Sequence, residues 1–268
     1  MDTQLARTDL ELDYLKAIGD LRKFDATNAK DREKVKAFLE NTGYKEEKSG
    51  NDWVYYENKD MGMKAFFSNF PMNNRKISKR PSLSLEFTGH FFIRHNSYET
   101  ARDLIRFFAD NFGVFFKISR VDIRQDIFHA KYPFDYFPNF LIKENKLTWA
   151  LRGQPTFNQY NNDFSNLATG FTIKTSRYTI MSYNRNMALE DRYRKGELTK
   201  TYYNFYKNQY GNKDVQRLEI SLKQDACDFF AILFFNGEYT QQNILKMTMA
   251  NFGRNHALKQ LGVVSIHI

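Results

Sequence analysis

Three short segments alternate with the period of a β-strand and carry an acid or a tyrosine within that alternation. They are Arg120-Val-Asp-Ile-Arg-Gln-Asp126, Thr179-Ile-Met-Ser-Tyr-Asn-Arg185 and Arg217-Leu-Glu-Ile-Ser-Leu-Lys223. Asp122 sits between Val121 and Ile123, and Glu219 between Leu218 and Ile220. Successive strand side chains point to opposite faces, so both acids lie on the face away from those apolar neighbours. Asp126 shares the parity of Asp122. Carboxylates converging from adjacent strands build a site for a hard cation. Such segments commit the chain to a sheet with one apolar face and one polar face.

The rest of the chain alternates hairpins with helices. Strand patterns run at Leu10–Leu15, Trp53–Tyr56, Met63–Phe67, Ser82–Thr88, Phe115–Ile123, Gly170–Lys174, Tyr178–Tyr183 and Gln216–Leu222. Helical spacing predicts Asp31–Thr42, with Asp31 capping its start and Gly43 its end, and Ser97–Phe112, ended by Gly113. A charged helical stretch is predicted from Ala188 to about Tyr210, and further helices from Asp225 onward. Residues 132–165 are rich in Asn, Pro and aromatics and read as a long loop with short strands. The pattern implies an α+β fold with a mainly antiparallel central sheet flanked by helices.

Charge narrows the partner. Lys and Arg number 40 against 31 Asp and Glu, a net +9. A chain this basic usually meets something anionic; nucleic acid is the expected partner, ahead of a membrane surface or nothing specific. The basic turn Asn73–Pro81 could touch phosphate or be solvated. Tyr202, Tyr203, Tyr206 and Tyr210 stand at helical spacing beside Arg192, Arg194, Lys195, Lys200 and Lys207. That stripe either follows a DNA strand or is the buried face of an amphipathic helix. The lone Cys227 excludes a disulfide framework and a cysteine zinc site, and reads as a buried thiol in a reducing, cytoplasmic setting. The acidic, polar start carries no signal-peptide pattern, and the apolar run Phe229–Phe235 is too short to span a bilayer. No P-loop or dinucleotide fingerprint is present.

Each candidate residue has a plain alternative. Asp122 could pair with Arg120 or Arg124, and Glu219 with Arg217 or Lys223. Tyr183 becomes a nucleophile only beside a cation or base, which Arg185, Arg177 or a metal would supply; otherwise it is a packed strand tyrosine. Tyr178 lies five residues away on the other strand face, so only one of the two can meet the carboxylates. His90 follows a strand and a glycine, as a ligand or as a turn residue. None of the five histidines forms a His-x-His pair.

Four segments in order resemble the replication-initiation-factor family, the rolling-circle initiators of plasmids and filamentous-type phages. Ser84-Leu-Glu-Phe-Thr-Gly-His90 resembles its strand-then-Ser/Thr-Gly element, and Arg120–Asp126 its Arg-x-Asp-x-x-x-Asp segment. Gly170–Arg177 with Ile180–Arg185 is similar to its glycine hairpin and Ile-Tyr-Asp/Asn-Lys segment, and Arg217–Lys223 to its Arg-x-Glu element. The resemblance covers about residues 82–227. It implies a nicking-relaxase-like fold, with an N-terminal α+β region (1–80), a nicking core (81–227) and a C-terminal helical segment (228–268). It implies an enzyme that nicks and rejoins single-stranded or hairpin origin DNA through a phosphotyrosine, with Mg²⁺ or Mn²⁺. Tyr183 would be the nucleophile, Lys223 and Arg185 cations at the phosphate, Asp122 and Glu219 metal ligands, and Asp126 and His90 further ligands. A host helicase and a second copy of the chain are the partners it adds. Alternatives are a DNA-binding protein of this fold without catalysis, and a metal-dependent nuclease without a covalent intermediate. Arg185 stands where the family usually has Lys, His90 where it often has Gln, residues 1–80 match loosely, and the C-terminal segment is not expected to form a winged-helix module.

Overall fold

Alternation decides where the strands form and which face each buries. The computed structural model describes residues 11–21, 23–25, 28–68, 82–95, 98–130, 156–161, 168–174, 178–238, 240 and 243. In chain order the elements are β1 (Glu11–Asp20), α1 (Ala29–Asn41), β2 (Lys45–Ser49), β3 (Trp53–Asn58), β4 (Met63–Ser68), β5 (Ser82–Thr88), α2 (Gly89–His95) and α3 (Tyr98–Phe112). There follow β6 (Phe115–Phe128), β7 (Thr156–Asn161), β8 (Ala168–Lys174), β9 (Tyr178–Asn184), α4 (Arg185–Arg194), α5 (Lys200–Tyr210), β10 (Val215–Lys223), a 3₁₀ turn (Gln224–Cys227) and α6 (Asp228–Asn236). Sheet and helices together make the α+β, mainly antiparallel architecture that the hairpin pattern implies. The Asn73–Pro81 turn, Arg177, residues 132–155 and the segment after 243 lie outside the described residues. Among the described residues no helix is long and apolar enough to cross a membrane.

Two compact bodies divide the chain. The first comprises Leu12–Val121 with Cys227–Glu238. Its strands run in the order β2-β3-β4-β5-β1, followed by the first half of β6. Antiparallel register aligns Leu15 with Phe87 and Met63, and Ala17 with Leu85, Ala65 and Tyr56, all fully or almost fully buried. Helices α1 and α3 supply Val35, Leu39, Ile105, Phe108 and Phe112 to the same core, with the Phe67 and Phe112 rings 5.4 Å apart. Each such side chain contributes about 1.5–3 kcal/mol by leaving water. On the opposite face the register sets Lys16, Glu86, Lys64 and Glu57 in one row. Lys16 reaches Glu86 at 2.7 Å and Lys64 reaches Glu57 at 3.6 Å, opposite charges paired across strands.

Some local expectations shift. The cap of α1 is Asn28, which accepts from Lys30 N at 2.9 Å; Asp31 stands inside the first turn. Asn28 lies outside the apolar periodicity that points to a start at Asp31. Strand β2, Lys-Glu-Glu-Lys-Ser, is exposed throughout, a charged edge with no alternation to announce it. His90 lies on the short helix α2 instead of a turn. Cys227 is buried, as the sequence suggests.

Among the described residues the second body comprises Glu11, Asp122–Ala226, Thr240 and Asn243. Here the second half of β6 is followed by β10, β9, β8 and β7. The expected single helix over 188–210 is two helices. Asn184 caps α4 by accepting from Met187 N at 3.0 Å, and Thr199 caps α5 by accepting from Tyr202 N at 3.3 Å. Gly196, at φ +70°, turns the chain between them.

Candidate active site

The polar parity of β6, β9 and β10 gathers on one face of the second body. In the β9–β10 register Tyr183 stands opposite Arg217, Met181 opposite Glu219 and Thr179 opposite Ser221. His129 N donates to Asp214 O at 2.8 Å, and Arg217 meets Asp126 three residues further in. Followed from these two contacts in opposite directions, the neighbouring strands β6 and β10 set Arg124 across from Glu219 and Asp122 across from Ser221. Asp122 and Glu219 are thus diagonal neighbours on adjacent strands. Asp122 is 5% exposed and Glu219 7%.

Tyr183 leans toward Glu219. Its Oη donates a hydrogen bond to Glu219 Oε1. Arg217 Nη1 lies 3.9 Å from the same oxygen. The neighbour pairing expected for Glu219 is therefore present, but at long range. Tyr178, by contrast, pairs with Leu222 and shares the parity of Ile180 and Ser182.

Asp126 is held elsewhere. Arg217 Nε and Nη2 donate to its two oxygens at 2.6 and 2.8 Å, and Tyr210 Oη donates at 2.5 Å. Burial would raise the Asp126 pKa; Arg217, Arg124 and the Tyr210 hydroxyl outweigh it and hold the carboxyl down at about 2. Both oxygens being committed, Asp126 does not fit the ligand role that the resemblance implies.

Three arginines converge over one ring. Arg185, Arg217 and Arg124 lie 4.7, 5.1 and 5.2 Å from the Tyr206 centroid. Tyr202, Tyr206 and Tyr210 are buried and form a packed helix face, while the fourth tyrosine of the stripe, Tyr203, is half-buried and donates to Glu190 at 2.8 Å. Arg124 also donates to Glu11 at 2.7 Å. Arg185 is 1% exposed and donates to Tyr202 Oη at 3.0 Å. Burial and Arg217 press its pKa down, while Tyr202, Tyr183 and Tyr210 press it up; the net direction is up, so it stays a cation. Lys223, half-buried, donates to Thr179 Oγ1 at 3.1 Å. His90 belongs to the first body; the other six predicted site residues belong to the second.

No family model matches this chain, and no curated protein does. The fold is similar to that of a rolling-circle replication initiator. The solved structure of the rolling circle replication initiator protein from Geobacillus stearothermophilus matches with a TM-score of 0.51. The match covers 97% of each chain at 14% identity. At that identity the likeness is one of fold.

On this initiator-like fold a metal has a limited donor set. Among the described residues no three His, Cys, Asp or Glu side chains gather closely enough to hold an ion. Asp122 and Glu219 form a two-carboxylate pair, which fits a Mg²⁺-like ion that keeps several waters and takes its remaining oxygens from a phosphate.

Gly170 enters the sequence reading only as the start of a glycine hairpin, with no link to Tyr183. It stands opposite Tyr183 on β8. A Cβ there would lie 2.6 Å from Ser182 O and 3.3 Å from Tyr183 Cα and Cβ. The missing side chain leaves room for the tyrosine's backbone. Gly170→Val is expected to lower stability by about 1–3 kcal/mol through overpacking. Urea unfolding compared with the parent checks this; an unchanged midpoint would show that the strand accommodates the side chain.

Proposed function

We propose that this chain is a DNA-nicking replication initiator that cleaves and rejoins one strand through Tyr183. The observation that carries the reading is the Tyr183–Glu219 contact, beside buried cations, on a fold similar to a rolling-circle initiator. In the reaction Tyr183 Oη forms a bond to phosphorus, and its proton leaves toward Glu219. The bond from phosphorus to the 3′ oxygen breaks. The freed 3′ oxygen takes a proton and the 5′ phosphate stays on the tyrosine. Reversal by a 3′ hydroxyl rejoins the strand. Arg185, buried near Tyr183, favours the phenolate; Lys223, two pleats beyond Glu219 on the same face, offsets charge along the DNA backbone. Asp122 and Glu219 would hold Mg²⁺ or Mn²⁺, which would neutralise charge on the phosphoryl oxygens. Asp126 serves as the anchor of Arg217 in this reading, and His90 is assigned no step.

The test is incubation with labelled single-stranded and hairpin DNA, with and without Mg²⁺ or Mn²⁺, resolved on a denaturing protein gel. A metal-dependent labelled band at the protein's mass is expected. Cleavage without that band would make the protein a plain nuclease, and binding without cleavage of any substrate a DNA-binding protein.

A further inference from the structure

We propose that Lys174, Thr179, Ser221 and Lys223 form a binding site for the DNA phosphate next to the one that Tyr183 attacks; this rests on the nicking reading above. Lys174 stands opposite Thr179 in the β8–β9 register, and Thr179 opposite Ser221 in β9–β10. The three therefore form one row across the polar face, with Lys223 two residues further along β10. The row lies one pleat, about 6.6 Å, beyond the row of Glu219. Glu219 is where the Tyr183 hydroxyl points. One nucleotide of an extended strand is on the order of that step, so a strand held at Tyr183 brings its neighbouring phosphate over this row.

The chemistry of the row suits a phosphate. Ser221 is 1% exposed, and its Oγ has no hydrogen-bond partner among the described residues. A buried hydroxyl without a partner is unusual and calls for an acceptor. Thr179 Oγ1 accepts from Lys223 Nζ, which leaves its own proton to donate. Lys174 is exposed. Two ammonium groups and two hydroxyls match an anionic oxygen cluster. The opposing charges include Asp122, which faces Ser221 from β6, and Glu219, one pleat away on β10. Two lysines match these two carboxylates, whose presence makes both lysines necessary.

Binding of the full chain to an oligo(dT) of about 20 nucleotides, measured over a series of salt concentrations, tests the site. Removing one phosphate interaction with a single strand flattens the plot of log affinity against log salt by about 0.7. Lys174→Met and Lys223→Met are each expected to flatten it by that amount. Ser221→Ala is expected to weaken binding several-fold with the slope unchanged, since a neutral hydroxyl releases no counterion. Lys45→Met, on the exposed edge strand of the first body, is the comparison for nonspecific charge. Slopes and affinities matching that comparison for all three variants would overturn the site. The same preparations carry the covalent-transfer assay. A labelled protein band with these variants unaffected would sink the phosphate site and spare the nicking reading. The expected binding losses with no band for any substrate would do the reverse.

Discussion

Asp126→Ala is expected to destabilise the protein by about 3–5 kcal/mol, enough to threaten folding of the second body. Removing one member of a buried ion pair leaves the other charged in a low-dielectric setting. Arg217 is that remaining charge, with its side chain 0% exposed. It would keep Tyr210 Oη at 3.0 Å and Glu219 Oε1 at 3.9 Å, neither of which replaces a bidentate carboxylate. Tyr210 would be deprived of its acceptor as well, at a buried position. Replacing both partners, Asp126→Leu with Arg217→Met, should cost much less, because no buried charge is left unmatched. A double variant as unstable as Asp126→Ala would mean that packing, and not charge, accounts for the loss. Acid titration reads the same pair. The Asp126 pKa falls from 3.8 to about 2 in the folded chain. Its contribution is therefore complete above 3.8 and is lost as pH falls from 3.8 toward about 2. At roughly 1.4 kcal/mol per pH unit that gap corresponds to about 2 kcal/mol. Urea midpoints should drop across this window in the parent, and less steeply in the double variant.

The acids are legible in the sequence, their partners only in part. Strand parity alone puts Asp122, Asp126 and Glu219 on a polar face, because period 2 is local information. Which arginine each acid meets depends on which strand lies beside it. Asp126 takes a bidentate pair from Arg217, 91 residues away, while its strand neighbour Arg124 donates to Glu11 and adds its charge nearby. Neighbours two apart on a strand are about 6.6 Å apart, whereas residues directly across are about 5 Å apart, so the cross-strand partner wins. The fold is legible where apolar residues alternate, as in Ser82–Thr88, and illegible in β2, whose residues are all polar. The tyrosine stripe of α5 reads as a helix face, but its burial depends on Arg124, Arg185 and Arg217 reaching it from other elements. Gly170 is marked by the resemblance alone, and its packing role is hidden because a missing side chain signals only when its neighbour, Tyr183, is known.

Tyr183→Phe is expected to abolish covalent attachment to DNA, by at least about 10³-fold, while leaving the protein folded. The change removes one oxygen atom. It takes away the group that would bond to phosphorus, and loss of a nucleophile has effects of that size or larger in covalent enzymes. Its structural cost is the hydrogen bond to Glu219, on the order of 1 kcal/mol. Glu219 keeps Arg217 at 3.9 Å, so its charge retains a counterpart. Tyr178→Phe is the matched comparison: same chemistry, same strand, opposite parity. Its register partner is Leu222, on the apolar side of β10. Transfer should survive in Tyr178→Phe and vanish in Tyr183→Phe. The reverse outcome would move the reaction to the other face of β9, where Ile180 and Ile220 pair and no described carboxylate stands in the β9–β10 register. Loss in both would mean that strand β9 matters through its packing. Activity in both would take the tyrosine out of the chemistry and leave Asp122 and Glu219 as the pair to test next.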